Sequence, residues 1–294
     1  LVIFNPSFPY RLAHMAIAAF ITSALLVVAT GAWHALKGKR DAAVNKMLSM
    51  GLGLLLVLVP LQVLVGDMHG LNTLKYQPAK IAAVEGHFKN EGNEPTPLIL
   101  FGIPDMEAEE TKYKLEIPAL GSLILTHSLD KQVPALTEFA KEDRPNSTIV
   151  FWSFRIMAGL GMLMLLLALW GNWLRRGQRW GNKPLFLRFA VLMGPSGLVA
   201  VLAGWFTTEV GRQPWVVYGV QRTADAVSGH GVLPMTISLA VFIVIYCSVF
   251  GVGTYYLLHM LKKGPDNSLP PETTDMIAAS GHVAVARDTN QQQH

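Results

Sequence analysis

Charge is scarce in this sequence. Only 15% of its 294 residues are Asp, Glu, Lys or Arg, against 51% hydrophobic. Soluble domains carry about 25% charged residues, so an ordinary water-soluble globule is excluded. Cysteine is nearly absent as well: Cys247 stands alone inside an apolar run, which rules out an intrachain disulfide and leaves the redox compartment unread. The basic residues are not gathered into one patch, and a net charge of +4 spread along the chain argues against nucleic acid as a partner. His69, His87 and His127 lack zinc-site spacing, so no metal centre is expected from them. No internal repeat is visible. Neither a secretory leader nor an initiator Met stands at Leu1, and the chain is expected to begin inside a longer protein.

What is abundant is apolar sequence. Five stretches are long enough to cross a bilayer: Leu12–Leu36, Met47–Gly66, Ile149–Trp173, Phe189–Thr208 and Val232–Leu261. The expected fold is all-α, a polytopic transmembrane helix bundle of five spans with a long outer loop between spans 2 and 3. Charge sets its orientation. The connection Lys37–Lys46 holds four basic residues and one acidic, Leu174–Arg188 holds five basic and none acidic, and Lys262 and Lys263 follow the last span. These alternate with Asp67–Thr148, where thirteen acidic residues face eight basic ones. The positive-inside rule then puts the three basic places in the cytoplasm and the long loop outside. The chain divides accordingly into spans 1 and 2 (residues 1–66), the outer loop (67–148), spans 3 to 5 (149–263) and a disordered cytoplasmic tail (264–294).

Several local signals sit on this frame. Asn5-Pro6 and Pro9 keep the lead-in to Arg11 non-helical. His14 enters the first span from outside, either as a hydrogen-bonded bundle residue or as a ligand; His34, near the inner end, reads as interfacial. In the second span Pro60 offers a kink and Gln62 an inter-helix hydrogen bond. Within the loop, Pro78 to Gly86 reads as a short helix carrying Lys80 and Glu85, both expected to be solvated, as is the run Glu107, Glu109 and Glu110. Leu98–Pro104 and Leu115–Leu125 are apolar enough to pack the loop onto the membrane surface. Arg155 is a strong charge in an apolar stretch, with two readings, functional or snorkelling. Gly159 and Gly161 suit close helix approach. The fourth run ends on Glu209 and Arg212 between Trp205 and Trp215, and Pro214 stops the helix.

With that orientation the costly polar groups fall in one outer layer: His14, Arg155, Met157, Glu209 and Arg212. Imidazole, thioether and carboxylate are haem axial ligands in kind, and guanidinium groups suit propionates. The segments that carry these residues are Arg11-Leu12-Ala13-His14, Phe154-Arg155-Ile156-Met157, Gln77-Pro78-Ala79-Lys80-Ile81-Ala82-Ala83-Val84-Glu85, Phe101-Gly102-Ile103-Pro104-Asp105 and Gly211-Arg212-Gln213-Pro214-Trp215. Together they resemble subunit I of cytochrome bd-type quinol oxidases. Trp215-Val216-Val217-Tyr218-Gly219, followed by Arg222-Thr223-Ala224-Asp225-Ala226-Val227, is similar to the short-loop, cyanide-insensitive subclass.

The resemblance implies His14 and Met157 as ligands of a low-spin haem b. Glu209 would serve the oxygen site, which holds a second haem b and a haem d or b-type equivalent, with Arg155, Arg212 and Trp205 as cofactor neighbours. Lys80, Glu85 and Gln77 would serve quinol oxidation. It also implies electron transfer to O2, a partner subunit II, a lipid environment and the bacterial cytoplasmic (inner) membrane. Such a subunit has nine spans, so this chain corresponds to the last five, and the absent four are expected to carry the remaining oxygen-site ligand. The competing reading is a transporter or proton pathway built on His14, Arg155 and Glu209, which more usually has a midplane site and paired halves. An anchor subunit without a cofactor is a third reading and leaves Arg155 unexplained.

Overall fold

The computed structural model describes residues 5–90, 92, 94–176, 180, 183–227, 229 and 231–264. The expected disordered tail lies outside them from residue 265 onward. The chain divides into two compact units, residues 1–240 and 241–294.

The first unit begins with α1 (Phe8–Leu36), which Pro9 opens rather than delays, because its missing N–H falls where helix donors are unsatisfied anyway. The Asp41 side chain accepts from the Val44 amide at 2.9 Å and starts α2 (Ala42–Tyr76). This helix runs through Pro60 and ten residues beyond the apolar run's end at Gly66, so Asp67 and His69 are helical and the loop proper starts at Gln77. Next comes α3 (Pro78–Glu85), opened by its proline and closed by Gly86 in the left-handed conformation at φ 65°. The two apolar loop segments then do different things. The first is β1 (Leu98–Asp105), paired antiparallel with β2 (Glu110–Ile117), and the second ends in the short α4 (Leu120–Thr126). This small hairpin is an addition to an otherwise helical fold.

The Asn146 side chain caps α5 (Ser147–Arg175). The fourth apolar run is not one helix. It breaks at Met193-Gly194-Pro195 into α6 (Pro184–Leu192) and α7 (Ser196–Val210), since Pro195 supplies no N–H to the ladder and its ring crowds the preceding turn. A small ribbon follows, β3 (Trp215–Val217) with β4 (Gln221–Arg222). The last helix is α8 (Val232–Lys263), and the boundary between the two units falls within its residue range, after residue 240. All five candidate spans are long and apolar enough to cross a membrane.

Within the first unit α1 packs on α2 and α7, and α5 packs on the same two helices, so α1 and α5 form the diagonal pair of a four-helix group. Its core fills one end only. Ile21 to Ala35 of α1, Val44 to Val59 of α2, Met164 to Leu174 of α5 and Phe186 to Met193 form one buried cluster. These halves lie toward the basic connections, the side that the charge pattern assigns to the cytoplasm. His34 is buried there, edge-on to Trp33, rather than interfacial.

In lipid the drive for helix contact is van der Waals fit, and small residues permit it. The glycines that do so are not Gly159 and Gly161, where an added Cβ would meet nothing within 4 Å. They are Gly51, whose Cβ would lie 2.5 Å from Val28 Cγ2, Gly171 against Leu52, and Gly197 against Thr22. Gly51→Ala is therefore expected to cost about 1–3 kcal/mol through overpacking. Gly159→Ala should be neutral, or stabilising by up to about 1 kcal/mol. Thermal unfolding of the two variants in detergent checks the pair, and equal midpoints would contradict the packing described.

Candidate functional site

The tight core stops where the outer layer of polar residues begins. No residue of α1 before Ile21 is buried, none of α2 beyond Val59, and none of α5 between Ser153 and Met164. His14 and Met157 project from these stretches on the diagonal pair of helices. The Nδ1 atom of His14 is buried and has no hydrogen-bond partner among the described residues. Its backbone carbonyl accepts from Gln62 Nε2 at 3.1 Å, and its ring lies beside Gly66, where an added Cβ would come within 3.4 Å of Cε1. The His69 ring is 5.7 Å away, centre to centre. Gln62, Gly66 and His69 share one face of α2, so His69 belongs beside His14. The cue for this is helical spacing, hidden because the apolar run stops at Gly66.

Across the group, the Met157 sulfur lies against Gly204 of α7. Five residues on, Glu209 lies in the last turn of that helix with its carboxylate accepting from Arg212, whose Nε is buried without a partner among the described residues. Trp205 is stacked edge-on to Phe206 and is 57% exposed.

The loop helix α3 is not solvated. Lys80 and Glu85 are 6% and 4% exposed, and each is fixed by a segment far along the chain. Glu85 Oε2 accepts from Arg155 Nη2 at 2.9 Å. The same guanidinium donates to the Ile99 carbonyl at 2.7 and 3.0 Å and to the Val84 carbonyl at 3.1 Å, and it lies 4.4 Å over the Phe151 ring. Arg155 is thus anchored to the loop, with at most one N–H left for another acceptor, and it does not snorkel. Ser147 Oγ donates to the Ala83 carbonyl at 2.9 Å and Thr148 Oγ1 to the Pro104 carbonyl at 2.8 Å, stitching the loop to the start of α5.

Lys80 reaches the other way. Its side chain crosses Gly211, where an added Cβ would sit 3.0 Å from Cγ, and Nζ donates to the Thr208 carbonyl at a long 3.4 Å. Gln77, at the junction of α2 and α3, keeps a buried Oε1 without a partner among the described residues. Burial, above all, brings the Lys80 ammonium down to about 8; Arg11 and Arg212 push the same way, and Glu209 opposes them. A depressed lysine costs stability while charged, so this cost is full below about pH 8 and fades as pH rises toward the ordinary 10.5. Arg11, whose charge acts on Lys80, is therefore a member of the site.

Other parts of the outer surface close over the loop. The Tyr218 hydroxyl bonds to the Ala79 backbone, and burial raises it above the usual tyrosine range. Arg222 pairs with Asp143 at 2.6 Å and stacks 5.0 Å over Trp215. Glu109, expected to be solvated, instead accepts from Arg144 at 2.7 Å with Lys141 at 3.4 Å.

Residues 1–265 match the family Cytochrome bd terminal oxidase subunit I. The chain belongs to that family.

A cytochrome bd-II ubiquinol oxidase subunit 1 of Escherichia coli (strain K12) is 26% identical over 90% of this chain and 64% of its own length. A cytochrome bd ubiquinol oxidase subunit 1 of Bacillus subtilis (strain 168) is 28% identical over 90% of this chain and 59% of its own. A solved bd oxidase structure from Geobacillus thermodenitrificans superposes with a TM-score of 0.78 at 31% identity, covering 90% of this chain and 60% of that one. The chain spans about three-fifths of the length of these relatives. Its five apolar helices and bacterial relatives make this cytochrome bd subunit I a multi-pass bacterial membrane protein.

In this cytochrome bd chain the buried Glu85–Arg155 pair is a mechanical joint as well as a charge pair. Removing one member of such a pair typically costs about 3–5 kcal/mol, because the other is left buried and unpaired. Arg155→Ala is expected to release the loop, raising its rate of cleavage in limited proteolysis many-fold, with Arg155→Lys intermediate. Unchanged cleavage of Arg155→Ala would show that the joint holds nothing.

Proposed function

We propose that this chain is the quinol-oxidising part of a haem-containing quinol:oxygen oxidoreductase in the bacterial cytoplasmic membrane, working with a second oxidase subunit. The observation that supports this most is the docking of α3: Lys80 onto the Thr208–Gly211 end of α7, and Glu85 onto the α5 turn that leads to Met157. A loop that only linked two spans would leave both charges in water.

At the loop, Lys80 donates a hydrogen bond to a quinol oxygen, and the Glu85 oxygen not held by Arg155 accepts the hydroxyl proton as the quinol gives up electrons. Gln77 Oε1 is an acceptor for the same ring. Arg155 holds Glu85 in place. Both protons leave toward the outer surface, where the loop lies.

The donor set fits haem. A buried, unpartnered imidazole nitrogen on α1 and a thioether on α5 lie on diagonal helices at the level where side-chain packing opens. They would hold the iron of a low-spin haem b, and Glu209, oriented by Arg212, would serve an oxygen-site haem b, haem d or b-type equivalent. Bound haem would supply reversible one-electron transfer and iron for the reduction of O2 to water. Arg212, paired with Glu209, and Arg11, which with Arg212 acts on Lys80, supply positive charge that suits propionates.

A lysine poised at about 8 gives the first test. Quinol oxidation should fall as pH rises through about 8, as the donor loses its charge and becomes a weaker one. Lys80→Met should be at least about tenfold slower without that limb. Glu85→Gln, whose amide oxygen still accepts from Arg155 but which cannot act as a carboxylate base, should also be slow, while both keep every haem band. Full turnover of both variants at saturating quinol would sink the reading.

A second test follows from placing proton release outside while the protons for water come from the cytoplasm across a roughly 30 Å layer. The intact oxidase in vesicles, given quinol and oxygen, is expected to shift a potential-sensitive dye by about one charge per electron, each charge worth about 2.3 kcal/mol per 100 mV. Oxygen consumption with a silent dye would overturn this arrangement.

A further inference from the structure

We infer that Gly204 is a positioning residue for Met157, the lack of a side chain at 204 leaving the space in which the thioether sulfur is aimed. This inference rests on the reading of Met157 as a haem ligand. Gly204 is interior to α7, where glycine is unfavourable relative to alanine, so its presence needs a cause. Close helix approach is not the cause. A Cβ at Gly204 would meet only one heavy atom within 4 Å, Met157 Sδ at 2.9 Å, and no backbone of α5. Gly197 differs, since a Cβ there would lie 2.8 Å from the Thr22 Cα.

A separation of 2.9 Å is closer than real Cβ atoms come to a neighbour, so in Gly204→Ala the sulfur must move. Methionine has three flexible torsions, and its sulfur has no polar partner to hold it, so its position depends on the surface behind it. A bare stretch of α7 backbone is that surface here. Metal coordination is sensitive to such shifts, and weakening a methionine ligand lowers the potential of a His/Met haem. The same helix carries Glu209 one and a half turns later, so α7 would serve both ligand positions.

The experiment is an optical and redox titration of the whole oxidase carrying Gly204→Ala, Met157→Val or both. Valine ends at Cγ, removing the sulfur, which is both the ligand atom and the atom that a Cβ at 204 would crowd. Gly204→Ala is expected to retain assembly and the oxygen-site bands. Part of the low-spin signal should be lost and its midpoint potential should fall. Met157→Val should do the same more strongly, and the double variant should be no worse than Met157→Val, because the glycine acts only through the sulfur.

A Met157→Val effect together with an unchanged Gly204→Ala spectrum and potential would overturn the inference and leave the ligand assignment standing, as would additive losses in the double variant. No effect of Met157→Val would overturn the ligand assignment, and this inference with it. Should Gly204→Ala fail to assemble, recovery of assembly in the double variant supports the contact through Met157, and continued failure refutes it.

Discussion

The rest of the structure depends on the pairing of Glu85 with Arg155. A carboxylate on a loop helix and a guanidinium inside an apolar helix would each be expensive to bury alone, and together they satisfy one another. Because the two residues lie 70 apart in sequence, the pair also fixes geometry. It brings α3 down onto α5 just above Met157, and the hydrogen bonds from Arg155 to Ile99 carry the hairpin with it. Lys80 completes the docking on the other side, against α7. The quinol candidates and the haem candidates thereby become parts of one site.

The bundle below it is built in two halves of different character. Toward the basic connections, glycines and interlocking Leu, Val and Phe side chains make a tight core. Toward the loop, polar side chains replace that core, and the helices remain aligned because they are already fixed at the other end. A rigid lower half lets the upper half carry groups selected for chemistry rather than packing, such as an unpartnered imidazole or a thioether resting on glycine.

Much of this was legible in the residues themselves. The number of spans and the α3 boundaries at Pro78 and Gly86 follow from apolar length and backbone chemistry, both of which are local. The polar layer followed from orientation alone. Other features were misread for physical reasons. Counting uncharged residues gave a continuous fourth span and missed the break at Pro195. The end of hydrophobicity at Gly66 hid a helix that continues to Tyr76, and with it His69. Gly159 and Gly161 carry the right composition for helix contact, but contact depends on which face meets a neighbour.

By itself the sequence determined that the chain crosses a membrane as helices and which side chains could act as ligands, because lipid forces every backbone polar group into local hydrogen bonds. Only the tertiary structure decided which charges are buried. Lys80 meets its acceptor 128 residues away, and Glu85 finds Arg155 across the outer loop. Burial of a charge is stable only when a distant segment arrives to satisfy it, and no local pattern records that arrival.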